Sequence, residues 1–358
     1  MRRLKGASNN IKKDKFINCL LNGGVDTFTE IKKLRGKSRN VSSTVYGRNS
    51  SQDISEHFAE IYQELYQRHE LEDGLNDIYQ SINSRIDETL LQDIDKVNTQ
   101  TVAAPLNKVK SSKSDPVFDF NSYCFINSPP ELIQHVTNLF KWFLRTGKVP
   151  AFLLLCTIVP IVKKDNIGDI TSSDNYRAIA IGSLILKWFD WLIIILEEEN
   201  LNTDKLQFGF QANSSTSLCT WGIVSVVDYY NRAGRPVFAC SMDLSKAFDL
   251  VAWKKLFPEL LERNISPLLL RCSFYIYANQ KSNVRWGNHL SGTFSVTNGV
   301  RQGAAVSSPI LFCVYINKLI SQLRRSDIGC QLSGIYLGIW IYADDIVLLS
   351  PSRSGLKV

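Results

Sequence analysis

Residues 339–349 read Ile-Trp-Ile-Tyr-Ala-Asp-Asp-Ile-Val-Leu-Leu, and this segment limits the fold more than any other. Two apolar runs flank the adjacent carboxylates Asp344 and Asp345. Short apolar runs around a turn signal predict a core hairpin, with Ala343-Asp344-Asp345 at its bend. Two like charges near a core are costly unless a cation neutralises them. Carboxylate oxygens of this kind suit Mg2+ or Mn2+. A solvated Asp-Asp turn is the simpler alternative, because turns favour Asp.

Three further strings carry chemistry-bearing residues. Pro236–Met242 predicts a buried strand, ending at Asp243 in Asp243-Leu244-Ser245-Lys246-Ala247-Phe248-Asp249. A carboxylate there could face a shared metal site; a helix N-cap is the competing reading. Asn298-Gly299-Val300-Arg301-Gln302-Gly303 combines glycines, which admit a ligand close to the backbone, with an amide that both donates and accepts. Taken alone it is also a plain loop before a helix. Lys163-Lys164, followed by Asn175-Tyr176-Arg177, offers point-charge and bidentate phosphate contacts, or simply a solvated basic turn.

The rest of the chain predicts helices over 54–66, 84–95, 128–144, 183–199, 215–230 and 248–263. Strands are predicted over 157–162 and 177–182, a loop over 98–122, and a turn leading into a long helix over 302–323. Such a mixture is α+β. At roughly 100–200 residues per domain, the 358 residues suggest two or three domains.

Charge is uneven. Residues 1–48 hold 12 of the 41 basic residues and 3 of the 34 acidic ones, leaving 29 basic against 31 acidic elsewhere. The basic excess therefore belongs to the N-terminal segment, a candidate polyanion contact or a solvated tail. The eight cysteines form no CxxC pair and only four histidines occur, which disfavours zinc modules. Scattered through apolar stretches, the cysteines read as reduced core residues of an intracellular protein, nuclear or cytoplasmic. No secretory signal or membrane-spanning run is seen.

In order and spacing, Lys163-Lys164, Asn175-Tyr176-Arg177, Gln207-Phe208-Gly209-Phe210, Asp243–Asp249, Val300-Arg301-Gln302-Gly303 and Tyr342–Asp345 resemble the successive motifs of non-LTR (LINE-type) retrotransposon reverse transcriptases. The resemblance covers about 130–352, and more loosely 35–130. It implies a right-hand polymerase fold. Residues 1–50 would be a basic linker and 51–130 a helical segment preceding the polymerase. Residues 131–235 would form the fingers, and 236–358 the palm with a fingers insertion at about 265–297. It implies an RNA-directed DNA polymerase acting on an RNA template, a DNA primer and dNTPs, with no membrane partner. Asp243, Asp344 and Asp345 would be the catalytic, metal-binding carboxylates for two Mg2+ ions, or Mn2+. Lys163 and Arg177 would contact the triphosphate, Phe248 would exclude a 2′-hydroxyl, and Gln302 would meet the nascent base pair.

Three departures from the family pattern stand out. One extra residue separates Gln302-Gly303 from Ser308-Pro309, and Ala178 replaces the usual proline. The chain ends at Val358, so no thumb is expected within it, and residues 1–130 lack the room and the metal-ligand constellation expected of an endonuclease. The alternative reading is therefore a truncated, inactive relic, retaining at most nucleic-acid binding.

Overall fold

The computed structural model describes residues 44–67, 74–87, 92–108, 115, 121–163, 170–300, 303, 307–326 and 328–357. The linker expected over 1–50 lies outside these residues, apart from its last seven. The described chain is α+β. Its helices are α1 (Ser51–Tyr66), α2 (Leu75–Asn83), α3 (Thr99–Ala103), α4 (Tyr123–Ile126), α5 (Pro130–Thr146), α6 (Leu184–Leu196), α7 (Thr216–Arg232), α8 (Trp253–Glu262), α9 (Pro267–Asn279) and α10 (Ser308–Arg325). No helix among the described residues is long and apolar enough to cross a membrane.

Two sheets organise the molecule. The first is built from β1 (Leu155–Val162), β2 (Tyr176–Ile181), β4 (Lys281–Trp286), β5 (His289–Leu290) and β6 (Phe294–Ser295). Its order is β2-β1-β4-β5, with β6 also on β4. Chain segments distant in sequence thus share one sheet, joined by the parallel pairing of β1 with β4, Leu155 opposite Lys281. Helix α1 covers it, with Phe58 stacked on Trp286 and edge-on to Tyr176. The Ile54, Phe58, Tyr62, Leu65 stripe is buried there, which is why this amphipathic segment is helical. A neighbouring apolar cluster joins α5, α6 and α9 through Phe140, Phe143, Trp188, Phe189 and Leu269.

The second sheet is β3 (Phe238–Asp243), β10 (Asp345–Ser350) and β9 (Ile339–Tyr342), in the order β3-β10-β9. Alternating side chains of β9 and β10 are buried on both of their faces. Ile339, Ile341 and Ile346 meet Leu206 and, from α10, Ile320 on one side. Trp340 and Leu349 meet Cys219, Val226 and Tyr230 of α7 on the other. The short hairpin β7 (Gln331–Leu332) and β8 (Ile335–Tyr336) precedes β9.

Several expectations need correction. Strand β3 is not buried. Among the described residues it pairs with β10 alone, as an edge strand, and Phe238 and Met242 are each 37% exposed. Of the helix expected over 84–95, residues 84–87 are turn and irregular backbone, 92–96 is a 3-10 turn, and 88–91 lie outside the described residues; a helix not expected from the sequence occupies 75–83. Part of the expected 98–122 loop is helical, because Asn98 and Thr101 form a capping box that starts α3. Helix α8 begins at Trp253, not 248, since residues 244–250 close a series of turns around Lys246, whose φ is +55°. The cysteines are free among the described residues, but Cys124 is exposed rather than buried.

Candidate functional site

Strand pairing assembles the carboxylates. Asp243 at the end of β3 is the register partner of Asp345 at the start of β10. Opposed residues of an antiparallel pair share a face, so both side chains leave the same side of the sheet. Asp344 stands in the two-residue turn between β9 and β10, where the Leu244 N–H reaches its carbonyl oxygen at 3.4 Å. Residues far apart in sequence therefore meet at one sheet end. Asp243 and Asp345 are exposed and Asp344 is half-buried. Partial burial and the charges of Asp344 and Asp243 raise the Asp345 carboxyl above its ordinary range. That repulsion is the kind a cation relieves.

No three His, Cys, Asp or Glu side chains among the described residues form a ready metal cage. Mg2+ does not require one: it keeps several waters and binds through one or two carboxylates completed by substrate phosphates. The acceptor-only oxygens of Asp243 and Asp344 fit that requirement, with Asp345 alongside.

The turn itself is held by residues 206–209. The Phe208 N–H donates to the Ile341 carbonyl and the Ile341 N–H to the Leu206 carbonyl, adding a one-residue parallel bridge beside β9. Buried Gln207 accepts through Oε1 from the Gly209 N–H at 2.8 Å and the Ala343 N–H at 3.1 Å. Ala343 has φ +58°, an unusual conformation for a residue with a side chain.

Phe248 follows the Asp243 turn. Its ring stacks on Phe312 at 4.5 Å, and Phe210 stands edge-on to it at 5.8 Å. Its carbonyl accepts from the Val300 N–H, tying it to the segment that leads to Gln302. Gln302 itself, with Arg301 and Lys164, lies outside the described residues. Gly303 (φ +90°) lies against Ile179 and the Ala180 carbonyl of β2. Arg177 is exposed on that strand, opposite Ile161. Lys163 continues β1 on the same alternating face, and its Nζ donates to the Asp174 carbonyl at 2.7 Å. The structure thus groups the three aspartates at one sheet end, and Lys163 with Arg177 on one hairpin face.

Asp249 does not join the carboxylate group. It is buried, and accepts from the Tyr66 hydroxyl of α1 at 2.8 Å. Burial pushes its carboxyl up to about 6, against the opposing effects of the Tyr66 hydrogen bond and Lys246. The Asn298 side-chain amide donates to the carbonyls of Asp249 and Leu65, and Thr297 donates to that of Tyr66. Sequence reasoning missed these roles for Tyr66, Asn298 and Gln207. Partners 183, 49 and 136 residues away leave no local signal.

A family model described as "Reverse transcriptase (RNA-dependent DNA polymerase)" matches residues 161–358. The retrovirus-related Pol polyprotein of the type-2 retrotransposable element R2DM from Drosophila melanogaster is 23% identical over 232 residues, covering 64% of this chain and 21% of that protein. The corresponding polyprotein of the type-1 retrotransposable element R2 from Nasonia vitripennis is 23% identical over 231 residues, covering 64% and 22%. The chain spans about a fifth of the length of these curated relatives.

Proposed function

The chain belongs to the reverse transcriptase (RNA-dependent DNA polymerase) family, and from that premise we propose that it is polymerase core of a non-LTR retrotransposon. It would add dNTPs to a DNA primer 3′-hydroxyl on an RNA template. The observation that carries this reading is the register of β3 with β10, which sets Asp243 beside Asp345 and Asp344. In the proposed right-hand arrangement the three-stranded sheet is palm. The five-stranded sheet, drawn from 131–235 and the 265–297 insertion, is fingers, and residues 51–130 precede them.

Reverse transcriptases generally use divalent metals, and Asp243 and Asp344 would hold two Mg2+ (or Mn2+) ions here, with Asp345 supporting. When bound, such ions lower the pKa of the attacking hydroxyl and neutralise the leaving pyrophosphate. The primer 3′-oxygen bonds to the α-phosphorus as the bond to pyrophosphate breaks. The protein's contribution is alignment and charge. Arg177 offers its planar fork to phosphate oxygens, and Lys163 adds a point charge on the same hairpin face. Phe248, backed by Phe312, presents a ring fixed by packing, and a 2′-hydroxyl would clash with it. Gln302 would meet the nascent base pair from the segment that Gly303 anchors on β2.

Primer extension tests the proposal: the full chain, an RNA template with an annealed DNA primer, dNTPs and Mg2+, beside Asp344→Asn. Extension by the parent, reduced at least about 100-fold in the variant, is expected. Equal extension by both would remove the assigned site, and none by the parent would withdraw the activity and leave the relic reading.

A further inference from the structure

In the tetrapeptide Gln207-Phe208-Gly209-Phe210, Gln207 is only 1% exposed. A buried amide is costly unless its polar atoms are paired. Its partners are backbone groups of two residues. Oε1 takes the N–H groups of Gly209 and Ala343, and Nε2 points at the Ala343 carbonyl at 3.5 Å. Two donors at one end and a carbonyl at the other fix which way the amide faces. Gln207 therefore grips both polar groups of the residue that precedes Asp344, and that residue has the left-handed φ of +58°.

The adjacent positions reinforce the grip. A Cβ on Gly209 would stand 2.2 Å from the Ala343 nitrogen, so only glycine lets the two backbones approach this closely. The Gly209 carbonyl faces Cys313 Sγ of α10 at 3.5 Å, and the Phe208 N–H is bonded to Ile341. Phe210 also has a left-handed φ, +60°, and turns a 52% exposed ring onto the edge of Phe248.

We infer that Gln207–Phe210 is a bracket that sets the Asp344 turn against Phe248, with Gln207 as the positioning residue that holds Ala343. The geometry stands by itself; only its catalytic consequence rests on the polymerase reading above. Because the grip is on backbone, it acts whatever side chain occupies position 343. A residue that merely filled volume would be replaceable by an apolar side chain of similar size and would suffer from a charged one. A bracket requires the opposite.

Hydrogen exchange read by mass spectrometry on the full chain separates the two. The variants are Gln207→Leu, which keeps bulk and loses every hydrogen bond, and Gln207→Glu, which keeps an acceptor at the same reach. In Gln207→Leu, peptides covering 206–210 and 342–345 should exchange at least about 10-fold faster, while the remainder of β10, 346–350, stays within about 3-fold of the parent. Gln207→Glu should stay closer to the parent than Gln207→Leu at 342–345. If Gln207→Leu fails to fold while Gln207→Glu folds and protects 342–345, the acceptor role is supported. Unchanged exchange at 342–345 in Gln207→Leu, uniform acceleration of the whole sheet, or better protection by Leu than by Glu would overturn the inference. In single-nucleotide incorporation, Gln207→Leu should lose at least about 10-fold in kcat with KM for dNTP within about 3-fold. A parent with no incorporation would count against the polymerase reading alone, and the exchange result would still decide the bracket.

Discussion

Replacing Asp249 by Asn should remove a specific part of the protein's pH-dependent stability. The carboxyl is buried against α1, accepts from Tyr66, and is pushed up to about 6 from an ordinary 3.8. The folded chain therefore binds this proton more tightly than the unfolded chain. The stability contribution is fully present below about 3.8 and is lost as pH rises through about 6. At pH 7.5 the folded group is almost wholly ionised; at pH 5 about nine-tenths of it is protonated. Integrating between these limits, the parent should gain about 1.4 kcal/mol from this group on going from pH 7.5 to pH 5. Asn keeps an oxygen for the Tyr66 hydroxyl but cannot titrate. Urea unfolding of parent and Asp249→Asn at both pH values isolates the term, because His57 and the other titrating groups are common to both chains. The parent-minus-variant stability difference should move in the parent's favour by about 1.4 kcal/mol at the lower pH. A constant difference, or a shift of opposite sign, would refute the buried, raised carboxyl.

Other consequences follow from single contacts. Gly299→Ala should destabilise the protein by about 2–4 kcal/mol in urea unfolding, since φ is +85° and the new Cβ would sit 2.7 Å from the Asp249 carbonyl oxygen. Phe248→Ala should raise incorporation of ribonucleotides relative to dNTPs by at least about 10-fold in single-nucleotide assays, as the clash with a 2′-hydroxyl is removed. Arg177→Ala should raise KM for dNTP by about 10-fold, through loss of a charge-assisted phosphate contact, with a smaller change in kcat.

Much of the carboxylate site was legible locally. The apolar runs around Asp344 and Asp345 made the hairpin readable, because two short apolar runs and a turn are properties of eleven consecutive residues. The meeting of Asp243 with that hairpin was not readable from pattern and came from resemblance to a family. Burial of β3 was misjudged for a physical reason: an apolar run looks the same in a central strand and in an open edge strand. The helix expected from Phe248 starts only at Trp253, because no residue announces that the turn around the left-handed Lys246 runs on to 250. The Asn98–Thr101 box had a recognisable spacing, but Ser, Asp and Pro around it pointed to loop. Tyr66, Gln207 and Asn298 owe their roles to distant partners, and such pairings exist only once the sheets have formed.

The most direct test of the central claim is single-turnover dNTP incorporation by Asp243→Asn, Asp344→Asn and the double variant. Two carboxylates that serve one centre fail together, so losses do not multiply. Each single variant should lose at least about 100-fold, and the double variant little more than either. Incorporation within about 3-fold of the parent in either single variant, or losses that multiply in the double, would contradict a shared site at the end of β3 and β10.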